Sequence, residues 1–336
     1  MNIFVDAMGG DHAPAEIVKG AVDAVLEYGI SLTLVGQEEA VRNELKKYTY
    51  PEASIRVLHA EDVIGFDEEP VRAIRRKGNS SLVVALNAMK EEPNSVLISA
   101  GSTGALLAGG LLKLGRIKGI KRPALASAIP KENGVTLLID MGANADCKAD
   151  YLEQFALLGH VYFESVLGKK DPKIGLVNIG TEEEKGSMMI KEAHQLLKNS
   201  GLNFIGNVEA RDIPTTEADI LVCDGFTGNV VLKLLEGLSS YLMSGIKSAI
   251  MGSFKGKIGG ALIKEDLRAF KKKFDSDEYG GAPFLGVKGG IIKAHGSSKA
   301  YAIKNAIYQS IQFIENDVLE KTTEAIRQRS ESAKGE

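Results

Sequence analysis

Cysteine is nearly missing. Only Cys147 and Cys223 occur in the 336 residues, too few for a disulfide scaffold or a cysteine-built metal cluster, and a cytoplasmic home follows most simply. Net positive charge is also lacking: the formal charge at pH 7 is −3. That excludes a global pull toward nucleic acid and leaves any basic patch local. No secretory signal is legible, because Asp6, Asp11 and Glu16 interrupt the stretch its apolar core would occupy. One uncharged run, Pro93 to Leu112, has the length of a membrane span, but Asn94, Ser95, Ser99, Ser102 and Thr103 with its glycines make it a poor one. It reads as a buried strand, a loop and a helix.

Several catalytic signatures are absent too. No two glycines are separated by a single residue, so there is no G-x-G-x-x-G, and no G-K-[ST] marks a P-loop. Neither a G-x-S-x-G elbow nor an H-E-x-x-H pair occurs. Standard dinucleotide and triphosphate cradles are therefore disfavoured.

What remains is a chain 44% hydrophobic and 25% charged, suited to a soluble globular protein with a large core. Short Val/Ile/Leu-rich runs recur between amphipathic segments: "NIFVD", "SLTLVG", "SIRVLHA", "SVLISAG", "TLLIDMGAN", "KIGLVNIGTE", "LNFIGNVEA", "ADILVCDGF" and "GGIIKAHGS". This alternation predicts an α/β fold with a mostly parallel open sheet flanked by helices. Nearly every run ends in glycine plus a small polar or acidic residue. Such loops gather at the carboxyl ends of strands, where open sheets hold their ligands, and several from one sheet end point to a site. Between about 230 and 275 no strand is legible; a helical hairpin interrupted near "GKIGGALIK" is expected to project there. No linker divides the chain, so residues 1–330 read as one α/β catalytic domain, with or without two lobes, and 331–336 as a frayed tail.

Three helix starts favour anions. "SAGSTGA" opens a helix near Thr103; "NIGTEEEKGS" sets Thr181 and Glu182 before Lys185; "CDGFTGNVV" puts Asp224 at a strand end ahead of Thr227 and Asn229, with Lys233 one turn on. Exposed N–H groups and the helix dipole suit phosphate or an oxyanion. His295 and His12 sit at strand ends and read equally as structural or site residues, whereas His59, His160 and His194 read as ordinary. Asp6, Asp11, Asp140 and Asp224 suit Mg²⁺ or helix capping, and capping is the better reading. Cys223 reads as an inert core thiol; Cys147, in a polar loop, is a weak candidate acyl carrier.

Together "VDAMGGDHAP", "ISAGSTGA", "DMGAN", "NIGTEEEKG", "FIGNVEARD", "VCDGFTGNV" and "KAHGSS" resemble the fatty acyl-ACP:phosphate acyltransferase family of bacterial phospholipid synthesis. The resemblance runs from Asn2 to about Ala302, departing from the family where Ser102 stands in place of a frequent Asn and where "PKENG" is short between two strands. It implies a fold similar to isocitrate and isopropylmalate dehydrogenases, a homodimer, and transfer of a long-chain acyl group from acyl carrier protein to inorganic phosphate without metal or redox cofactor. It implies phosphate and substrate contacts from Gly9, Gly10, Asp11, Gly101, Ser102, Thr103, Gly104, Asn144, Gly180, Thr181, Glu182, Gly225, Thr227 and Gly228. In that reading Lys185 and His295 help hold phosphate, Asn229 or Thr227 steadies the oxyanion, His295 or His12 assists the leaving thiolate, and Asp224 orients the loop. The rival readings are an NAD-dependent oxidoreductase of the same fold and a phosphate-binding scaffold without turnover.

From Lys247 to Asp275, eight lysines and arginines face three acidic residues, and Ile250, Phe254, Ile258 and Leu262 recur every fourth position. Packing against its own core or dimer is the plain reading of that apolar face. Alternatively Lys257, Ile258, Leu262, Lys264, Arg268 and Lys271 meet an acidic carrier protein or an anionic membrane surface. The second choice implies peripheral membrane contact and coupling to glycerol-3-phosphate acyltransferase, which would consume acyl phosphate.

Overall fold

The computed structural model describes residues 2–273, 278 and 280–335. The strands are β1 Asn2–Asp6, β2 Leu32–Gly36, β3 Ile55–His59, β4 Ser95–Ser99, β5 Ala124–Lys131, β6 Gly134–Ile139, β7 Ile174–Asn178, β8 Phe204–Glu209, β9 Ile220–Val222, β10 Ala282–Leu285 and β11 Gly290–Lys293. The helices are α1 Ala15–Tyr28, α2 Glu38–Leu45, α3 Pro70–Arg76, α4 Ser81–Glu91, α5 Thr103–Gly109, α6 Ala149–Tyr162, α7 Met188–Lys198, α8 Gly225–Met251, α9 Phe254–Leu262, α10 Lys264–Lys273, α11 Ala300–Glu315 and α12 Val318–Gly335.

All strands join one sheet in the order β3-β2-β1-β4-β11-β10-β5-β6-β9-β7-β8. It is an open, mostly parallel α/β sheet flanked by helices. Two parallel blocks, β3-β2-β1-β4-β11 and β6-β9-β7-β8, meet across β10 and β5, whose pairings are antiparallel. Three successive reversals leave the blocks running in opposite senses. The loops expected at one end of one sheet therefore form two sets, one at the carboxyl edge of each block. Buried strands such as β4 (SVLIS) and β7 (IGLVN) are apolar on both faces, as a sheet covered by helices on both sides requires.

Each run read as a strand contains one. The run "APFL", β10, is too short to show a period, and β5 was legible only as the strand ahead of "PKENG"; that segment is the tight turn of the β5–β6 hairpin, with Pro130 opposite Val135 and Lys131 opposite Gly134. Two expectations about the later chain change. The helical tract breaks at Gly252 and Ser253, and again at Ile263, instead of only within "GKIGGALIK". The last helix runs to Gly335, into the stretch expected to fray.

The long helix α8 meets the sheet in its first turns, where Val231, Leu232 and Leu235 also pack on the core. Asp224 caps it, accepting from Thr227 N at 2.8 Å, and its buried residues are Gly225 and Gly228. Gly228 presses on the end of β6 so closely that a Cβ there would collide with the Asp140 carbonyl oxygen. Replacing Gly228 by Ala should lower the denaturation midpoint by the equivalent of roughly 3 kcal/mol, read by urea unfolding; an unchanged midpoint would mean that α8 docks elsewhere.

Candidate active site

Asp140 organises the carboxyl edge of the second block. Its buried carboxylate accepts from Leu125 N at 3.0 Å, Ala143 N at 3.1 Å and Asn144 N at 2.7 Å. Asn144 Nδ2 adds a bond to Asp140 at 2.9 Å and one to the Pro123 carbonyl at 2.8 Å, so this side chain is committed to shaping the loop. Burial pushes the Asp140 carboxyl up while these donors oppose the shift. The Asn144 carbonyl then receives Gly225 N at 2.8 Å and so joins the loop to the start of α8. Thr227 gives its hydroxyl to Asp224 at 2.8 Å; Asp224 and Thr227 are thus partners in a cap. Asn229, one turn on, is exposed.

In the first block, Asp6 holds the loops after β1 and β4 together. It accepts from Met8 N at 3.2 Å and from Ser99 Oγ at 2.7 Å, whose oxygen receives Gly101 N at 3.1 Å. Gly9 packs between the Asp6 carboxylate and Gly101 N, Gly10 adopts φ 105°, which favours glycine, and Asp11 N donates to the Gly296 carbonyl at 2.8 Å. Ser102 caps α5, and Gly104 lies against Pro70.

Over β5 and β10, where the blocks meet, lies a cavity of about 250 Å³ bounded by α8. Its polar lining residues are Thr103, Ser127, Asn229, Lys233, Glu236, Ser239, Lys293, His295 and Ser298. Apolar side chains make up much of the rest, among them Leu125, Ile129, Met141, Pro214, Leu232 and Leu235. The cavity thus collects Thr103, Asn229, Lys233 and His295 from the residues named in the sequence. His12 is exposed on its loop and is not in the lining. The Gly180–Lys185 loop, with Thr181 and Glu182, lies at the end of β7 outside the cavity; its carbonyls at Glu182 and Lys185 take bonds from Asn207 and Asn178.

Five polar residues of the lining, Ser127, Glu236, Ser239, Lys293 and Ser298, were not singled out as site residues. Lys293 ends β11 and is only 9% exposed. Its ammonium donates to the carbonyls of Ala294 and, at 3.5 Å, Ala100, and burial pulls its pKa down to about 8. Ser298, 3% exposed, carries a hydroxyl without a hydrogen-bond partner. The available signal was a lysine closing an otherwise apolar strand, "GGIIK".

A family model described as "Fatty acid synthesis protein" matches residues 1–321. The phosphate acyltransferase of Alkaliphilus oremlandii (strain OhILAs) is 54% identical over 326 residues, 97% of either chain. The chain belongs to the phosphate acyltransferase family. A second member, from Clostridium novyi (strain NT), is 53% identical over 330 residues, 98% of this chain and 99% of its own. Membership makes the protein an acyltransferase with phosphate as acceptor. Among solved structures, a phosphotransacetylase from Streptococcus pyogenes superposes with a TM-score of 0.59 at 19% identity, covering 94% of both chains, which is likeness of fold.

Cys147 does not suit a covalent route. It is half-buried, its thiol donates to the Asn144 carbonyl at 3.5 Å, and desolvation pushes its pKa up to about 11. Cys147→Ala should keep phosphate-dependent turnover within about twofold, and the wild-type thiol should resist iodoacetamide at pH 7.5; loss of turnover without loss of fold would restore the acyl-cysteine path.

Proposed function

We propose that the protein transfers a long-chain fatty acyl group from the thioester of an acyl carrier protein to inorganic phosphate, releasing acyl phosphate and the carrier's free thiol. One observation supports this reading beyond family membership: a buried lysine, a serine whose hydroxyl has no hydrogen-bond partner and a set of apolar side chains line the same cavity. An acyl phosphate asks for both kinds of group, having an anionic head on an apolar chain.

The chemistry asks little of the chain. Phosphate is a nucleophile at neutral pH, so the protein must desolvate it, aim it and hold the carbonyl. Lys293 and Ser298 are assigned to the phosphate, with Thr103 and His295 beside them in the lining, and Asn229 to the developing oxyanion, a contact worth roughly 3 kcal/mol. Asp140, Asn144, Asp224 and Thr227 fix the loops around these groups. The glycines of the β1 and β4 loops let the Asp6 carboxylate and its neighbours close behind Lys293. The Gly180–Lys185 loop is assigned to the carrier's approach.

Two surfaces await partners. Along α8, Phe226, Val230, Leu234, Leu238 and Tyr241 are exposed at helical spacing, which fits a second copy of the chain and hence a homodimer. The other lies on α9 and α10. Phe254 and Leu262 are 79% and 81% exposed and Ile258 is exposed beside them, so this part of the tract does not pack on its own core. Ile250 instead packs on Gly256 and Gly260 of α9, which removes it from the expected four-residue stripe. Lys257, Lys264 and Arg268 are exposed on the same elements, while the Lys271 side chain lies outside the described residues. This apolar and basic surface suits an acidic carrier protein or an anionic bilayer. No described helix is long and apolar enough to cross a membrane. Peripheral contact would let acyl phosphate pass directly to a membrane acyltransferase acting on glycerol 3-phosphate.

Purified protein incubated with palmitoyl-ACP and phosphate should release ACP thiol only when phosphate is present, with acyl phosphate trapped by hydroxylamine. No release from intact palmitoyl-ACP would refute the reading. If α10 docks the carrier, the double variant Lys264→Glu with Arg268→Glu should raise the KM for palmitoyl-ACP about tenfold without changing that for palmitoyl-pantetheine; equal KM values for the carrier would assign the surface to the membrane.

A further inference from the structure

Lys293 has a property that anion binding alone does not require. Its ammonium is buried at the end of β11 with two carbonyl partners, and among the described residues no carboxylate lies within ion-pair distance. The charged and titratable groups around it come from several elements: Asp6 at the end of β1, Asp11 on the following loop, Lys233 and its ion partner Glu236 on α8, and His295 two residues along. Asp6 and Asp11 favour the charged ammonium, whereas burial and Lys233 oppose it, and burial is the largest of these effects.

We propose that Lys293 is the proton relay of acyl transfer: its ammonium protonates the departing thiolate and then recovers the proton carried by the attacking phosphate. This rests on the acyl-transfer reading of the cavity. The step balances without another reactant. An oxygen of hydrogen phosphate dianion attacks the thioester carbonyl carbon, a C–O bond forms, and the C–S bond breaks with its electron pair leaving on sulfur. Nζ gives its proton to sulfur, and the neutral amine accepts the hydroxyl proton of the newly acylated phosphate. The products are acyl phosphate dianion and thiol, and Lys293 returns to its starting form.

The alternatives within the cavity fit less well. Lys233 is exposed and paired with Glu236 at 2.8 Å. His295 is exposed, and its Nδ1 lies 2.8 Å from Ser297 Oγ. Burial instead brings Lys293 down to about 8, close to the roughly 8.5 of an ordinary thiol, and proton transfer is most effective between matched groups near the working pH. Below about pH 8 the relay is charged and able to donate. As the pH rises through that value the donor is lost, so kcat/KM should fall.

The test compares two leaving groups, an acyl-pantetheine thioester and the acyl thioester of 4-nitrothiophenol, whose thiolate departs without a proton. Lys293→Arg keeps the charge but not a proton it can release. It should lose at least about a hundredfold on the pantetheine ester and less than about tenfold on the aryl ester, and the limb near pH 8 should disappear. Lys293→Met, of similar length, serves if the arginine variant fails to fold. Equal losses on both esters would overturn the relay and leave Lys293 an electrostatic anchor. Absence of phosphate-dependent release by the wild type from either ester would overturn the acyl-transfer reading, and the relay with it.

Discussion

A positive charge inside a protein must be matched, solvated or given up. At Lys293 two carbonyl oxygens solvate the ammonium in part, and its nearest carboxylates, Asp6 and Asp11, do not reach it as ion partners. Much of the local architecture can be understood from that one site. Asp6 ties the β1 and β4 loops together, Ser298 lines the same cavity with a buried hydroxyl that has no hydrogen-bond partner, and α8, which bounds the cavity, starts at the capped turn at Asp224. The outcome is a cavity with both polar and apolar residues in its lining.

The sheet explains how residues distant in sequence reach this cavity. Two parallel blocks running in opposite senses meet at β10 and β5. Loops from the first bring Thr103, Lys293, His295 and Ser298; loops from the second bring Met141 and Asn229. Neither block holds the complete set. The two antiparallel strands between them supply the floor, and Gly228 permits the close approach that sets α8 as the roof.

Much of this was legible beforehand. Apolar runs ending in glycine and a polar residue marked the parallel strands, because a strand covered on both faces must be apolar throughout. Strand direction was not legible, since periodicity is the same whichever way a strand runs, so the opposed blocks were read as one edge. The four residues of β10 are too few to carry a pattern. Within the site, Asn229 and His295 stood out as polar residues beside glycines, whereas Lys293 was hidden: one lysine at the end of an apolar run reads as the first exposed residue, and only packing reveals it as buried. Thr227 and Asp224 were visible as polar residues, but their use of each other as cap partners depends on geometry within a single turn. The exposed apolar faces of α8 and α9 follow the same logic. Helical spacing gives the stripe, but not whether the chain itself covers it.

Phosphate bound beside Lys293 should be visible in calorimetric titration of inorganic phosphate into the wild type and Lys293→Met at pH 7. The wild type should show one site per chain and the variant an affinity at least about tenfold weaker, the loss expected for a charge-assisted contact of roughly 1.5 kcal/mol or more. Equal affinity in two folded proteins would contradict this placement and move the phosphate site away from Lys293.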